Sequence, residues 1–188
     1  MTTTRRAAQR TIDTRLGQAG DRIDTIVARA RDARGHVNGR TFWRVDALRA
    51  HEARVRVRVR EVREADESAW DDHSAELGRD LDELEAQIAI SSARLDADLA
   101  VGDAAFAGAV EAELEHWTGR IRAAPHAKLD EYLVVARFKL QEFRDAAPAE
   151  EPTLRNAVSQ AVEDLDRAAD AAAPMSKANA RDEQLTER

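Results

Sequence analysis

The chain has no cysteine, four prolines, eight glycines and eight aromatic residues in 188, and each shortage excludes something. Without cysteine there is neither a disulfide framework nor a thiolate centre, which fits a cytoplasmic protein. The longest uncharged run, Ala86 to Ala93, falls far short of the roughly 18 apolar residues a membrane-spanning helix needs. No apolar stretch follows Met1 to Arg6, so no secretory leader is expected. The Gly-x-Ser-x-Gly elbow, the phosphate-binding loop, the dinucleotide fingerprint and His-Glu-x-x-His are all missing, and with them the usual sequence support for nucleophilic, nucleotide-dependent and zinc-hydrolase chemistry.

Large apolar side chains are also scarce. Leu, Ile, Val and Phe together number 37, whereas Ala alone supplies 38 residues. Such a composition, rich in Arg and Glu, points to long helices. Alanine buries little area at about 25 cal/mol per Å², so a narrow bundle gains from self-association.

What is abundant is charge, and it is unevenly placed. Residues 1–63 carry 16 Arg and 7 acids, a surplus of +9, while residues 64–188 carry 13 bases and 29 acids, a deficit of −16. The basic half can meet the acidic half of its own chain, that of another copy, or an external anion.

Apolar spacing organises the rest. Ile12, Leu16, Ala19, Ile23, Ile26, Ala30 and Ala33 alternate steps of four and three and predict a helix from Thr4 to Arg34. Gly35 to Gly39 reads as a turn, with Thr41 as N-cap of a long central helix over residues 41–100, about 90 Å if continuous. Val45, Leu48, Glu52, Val55, Val59 and Val62 keep the rhythm, then Leu77, Leu81, Leu84, Ile88, Ser91 and Leu95 resume it. The 15 residues from Val62 to Leu77 fit 3.75 per turn rather than 3.5, a stutter. Charge reverses in the same place, at Asp66, Glu67, Asp71 and Asp72, so this is the candidate hinge. Arg54 to Arg60 alternates Arg with Val and could be a strand, but it has nothing obvious to pair with, and helix is expected. Phe106, Val110, Leu114, Trp117 and Ile121 continue helical spacing, and Pro125 either kinks that element or begins another. Residues 126–145 are the richest apolar segment, expected to lie deepest.

The fold class read from these patterns is all-α: an elongated antiparallel helical bundle or coiled coil over residues 1–145. A Pro-rich linker (146–152), a C-terminal amphipathic helix (153–173) and a disordered tail (174–188) complete it. Five arginines, Arg54, Arg56, Arg58, Arg60 and Arg63, are candidates for contact with an anionic partner, since the guanidinium fork suits phosphate. Phe42 and Trp43 are a candidate tip contact. Glu113 and His116 form a single Glu-x-x-His, remote candidates for a metal site that would need a second such motif. His36, His51, His73 and His126 are isolated, and no metal or cofactor is expected. The function expected is a non-enzymatic scaffold that self-associates as a homo-oligomer through its seams and complementary halves. The alternative is an adaptor that binds an anionic surface, membrane lipid before nucleic acid, through the Arg-rich hairpin; a remote one is a carboxylate/His metal-bundle enzyme, and a protein partner is a further candidate. Nucleic acid is disfavoured by the acidic total and the few aromatics.

Overall fold

A computed structural model describes the backbone of residues 3–33, 39–147 and 149–186, and the side chains of residues 5–33, 41–147 and 149–172. The described residues form six helices and no strand: α1 (Thr3–Asp32), α2 (Gly39–Glu64), α3 (Trp70–Leu99), α4 (Asp103–Ala123), α5 (Ala127–Arg144) and α6 (Glu151–Thr186). The protein is all-α. It divides into two compact units, residues 1–101 and 102–188.

In the first unit α1, α2 and α3 pack on one another. Ion pairs give their directions: Arg63 meets Asp13 and Arg49 meets Asp24, so α2 runs antiparallel to α1, while Arg15 meets Asp82 and Arg29 meets Asp96, so α3 runs alongside α1. The expected seams are the core. Leu16, Ala19, Ile23, Ile26 and Ala30 are buried with Val45, Leu48, Val55, Val59 and Val62, and with Leu77, Leu81, Leu84, Ile88 and Leu95. The Arg/Val alternation at 54–60 lies within α2 as helix.

There is no continuous helix over 41–100. The chain breaks at Ala65–Ala69, inside the segment where spacing and charge both change, and Gly78 lies within α3. The break has a local cause. One oxygen of Asp66 accepts hydrogen bonds from the Ser68 amide (3.1 Å), the Ser68 hydroxyl (2.7 Å) and the Ala69 amide (3.0 Å). A side chain that satisfies backbone donors this way offers the chain an alternative to the helical ladder. Arg5, reaching from α1, donates to the carbonyls of Val62, Arg63 and Ala65 and lies 5.6 Å from the centre of the Trp70 ring. It thereby satisfies carbonyls that the end of α2 leaves open.

At the other end of α2, Thr41 is not an N-cap. The helix begins at Gly39, and the buried Thr41 hydroxyl donates to Asp98 on α3 at 2.8 Å. The expected turn at 35–39 falls almost wholly outside the described residues, as does His36.

The second unit consists of α4, α5 and α6, with α5 packed on both others. Pro125 lies in the turn between α4 and α5 rather than kinking a helix, and Pro152 stands in the first turn of α6, where a missing amide costs nothing. Phe106, Val110, Leu114, Trp117 and Ile121 of α4, Leu129, Leu133, Ala136, Leu140 and Phe143 of α5, and Val158, Val162 and Leu165 of α6 are buried. Phe106 and Phe143 meet edge to face at 5.3 Å. The backbone of α6 is helical through Thr186. The tail expected from 174 onward therefore falls on a helical backbone whose side chains lie outside the described residues.

Candidate functional site

The five candidate arginines share one helix, but α2 turns them in different directions. Arg63 pairs with Asp13 of α1 at 2.6 Å, and Arg56 with Glu52 of its own helix at 2.6 Å. Arg58 reaches Glu76 of α3 at 2.7 Å and Asp80 at 3.6 Å. Arg54 and Arg60 are exposed and form no ion pair among the described residues, and the half-exposed Val57 lies between them. The charges of this run divide between acids of the same unit and solvent. Three of its five charges face acids of the same unit.

Glu52 explains why an acid occupies a seam position. It is buried, and its carboxylate lies between Arg56 at 2.6 Å and Arg49 at 3.4 Å. Gly20 of α1 makes room for it: a Cβ there would stand 3.0 Å from Glu52 Oε1. Asp24 draws Arg49 further toward its charged form, as Glu85 and Asp82 do for Arg15.

The aromatic pair is split. Phe42 packs against the core of the first unit, while Trp43 is 55% exposed. Glu-x-x-His is split too: Glu113 is fully buried and His116 exposed, so the two do not face a common point. The described residues hold no group of three or more His, Asp or Glu placed to bind a metal ion. His51 bonds Gln87 through Nδ1 at 2.9 Å.

α5 departs most from expectation. Its 126–145 segment does not lie deepest as a whole. Leu129, Leu133, Ala136, Leu140 and Phe143 face the core, but Val134, Val135 and Phe138 are 66%, 48% and 59% exposed. The cause is a second apolar rhythm on the opposite side of the helix. Phe138 also borders an open groove of about 690 Å³ between α5 and α6, walled by Glu142, Asp145, Glu150 and Leu154. The excess of apolar residues in this segment was visible in the sequence. The signal that separates the two faces is the spacing of Glu131, Val135, Phe138 and Glu142, which runs parallel to the core set.

No family model matches the chain, and no curated protein or solved structure matches it either. No helix among the described residues is long and apolar enough to cross a membrane.

Proposed function

We propose that the protein is a non-enzymatic, cytoplasmic scaffold that acts by helix-to-helix contact, with itself first. The observation that carries this reading is the apolar face of α5. A helix already packed on two neighbours leaves three large apolar side chains together in water, the kind of surface that marks an interaction site. The charge halves support association less than the sequence suggests. Arg15, Arg29 and Arg58 already meet acids of α3, and exposed pairs of this kind contribute about 0–1 kcal/mol each. Light scattering across the micromolar range tests the reading at low and high salt. Mass should rise with concentration, and a particle that stays monomeric throughout removes the scaffold.

A second reading rests on Arg54 and Arg60, which flank Val57 on the exposed face of α2 and leave two charges for an anionic lipid surface. Flotation with phosphatidylserine vesicles tests it. Binding that survives the R54Q/R60Q double variant, or no binding at all, overturns this role for α2.

A further inference from the structure

We infer that a second copy of the chain docks on the exposed face of α5, helix against antiparallel helix, about a two-fold axis beside Val135. This rests on the self-association reading above and names its surface. The outer face of α5 presents Lys128, Glu131, Val135, Phe138 and Glu142 at spacings of three and four, the seam of a helix pair, with Val134 beside it. Charge fixes the occupant and the register. With the axis at Val135, Glu131 faces Lys139 of the second copy and Lys128 faces Glu142. Phe138 then faces Tyr132, and each contact occurs twice by symmetry.

Neighbouring registers fail. An axis at Phe138 sets Glu131 against Asp145 and Val134 against Glu142, and an axis at Glu131 sets that carboxylate against itself. A parallel arrangement opposes every charge with its like. Only the Val135 register among these matches acid with base and keeps the apolar centre dry. Lys139 is already half-exposed on this flank, 2.6 Å from Glu142 and 5.5 Å from the Phe138 ring, so it needs no rearrangement of the core to turn toward a partner.

One helix face offers less than the roughly 800 Å² per partner of a standard stable interface, so the dimer is a reversible one in the micromolar range. The absence of cysteine gives a clean test on the full chain. Residue 135 meets itself across the axis, so V135C should yield a disulfide-linked dimer under mild oxidation, whereas V57C on the exposed face of α2 should not. In sedimentation equilibrium, V135D should raise the dimer Kd at least tenfold by opposing two carboxylates, and V57D should leave it unchanged. If V135D associates like the natural chain, or V57C cross-links in place of V135C, the α5 surface is wrong while self-association stands. If the natural chain stays at 20.8 kDa up to about 200 µM, roughly a hundredfold above a micromolar Kd, both are wrong.

Discussion

Residues 1–101 carry 18 basic and 19 acidic side chains, whereas residues 102–188 carry 11 and 17. The first unit is almost neutral and its arginines bridge its own helices, as Arg15, Arg29, Arg49 and Arg63 do. The second unit keeps the net negative charge and leaves Val134, Val135 and Phe138 in water. A strongly dipolar sequence thus need not make a dipolar molecule: folding α3 back on α1 and α2 brings its acids to their arginines. The surface left unsatisfied is apolar, and it lies in the other unit.

The largest expected effects separate core from exposed face. Leu84→Ala in the first unit and Trp117→Ala in the second each remove a buried side chain and should destabilise by about 2–5 kcal/mol in thermal or urea unfolding. Phe138→Ala, although it deletes a larger group than Leu84→Ala, should change stability by about 0.5 kcal/mol or less. A loss from Phe138→Ala as large as that from Trp117→Ala would mean that α5 has no free face.

Next comes the turn that divides α2 from α3. Arg5→Ala removes carbonyl contacts at the end of α2 and the cation over Trp70, and should cost about 1–2 kcal/mol, read as a lower thermal midpoint.

One exposed carboxyl in each unit should respond to acid in the opposite sense to the other. Bonds from the Ser68 hydroxyl and the Ala69 amide hold the Asp66 carboxyl below its ordinary value of 3.8. Its contribution is present above the unfolded value and is lost as pH falls through the folded one. The advantage of the natural chain over Asp66→Ala should shrink between pH 5 and pH 2, a window of about this width following from carboxylate titration. In the second unit, a hydrogen bond with Asp103 raises the Glu151 carboxyl above 4.5. That contribution is present below the unfolded value and fades as pH rises through the folded one. The natural chain should therefore gain on Glu151→Gln as pH is lowered from about 7 to 4. Shifts of the same sign in both variants would remove the contrast.

The smallest effect expected is a gain. Gly17 lies inside α1 with open space where a Cβ would stand, so Gly17→Ala should stabilise by about 0.5–1 kcal/mol.

Most of the fold was legible because burial follows spacing. The seams on α1, α2 and α3 were readable down to Glu52, which keeps the rhythm because Arg49 and Arg56, themselves exposed, reach its buried carboxylate from the rim. The change of spacing before Leu77 also located the break, but not its depth: phase alone cannot distinguish an underwound helix from a reversal. The Asp66-x-Ser68 turn signal was the missing clue, and it is a local hydrogen-bonding pattern rather than a periodicity. Thr41 misled for the complementary reason, since its hydroxyl serves Asp98, a residue far along the chain. The candidate sites were less legible. Five arginines in ten residues look like one surface in sequence, yet a helix turns Arg58 toward α3 and Arg63 toward α1 while leaving Arg54 and Arg60 outside.

The most direct test is the mass of the unaltered chain across a concentration series, measured by sedimentation equilibrium at low salt and again at about 1 M, where the screening length falls to about 3 Å. An apolar contact on α5 predicts a rise from 20.8 kDa toward twice that mass at both salts, with the dimer retained in the second. A mass that never leaves the monomer value would contradict the account.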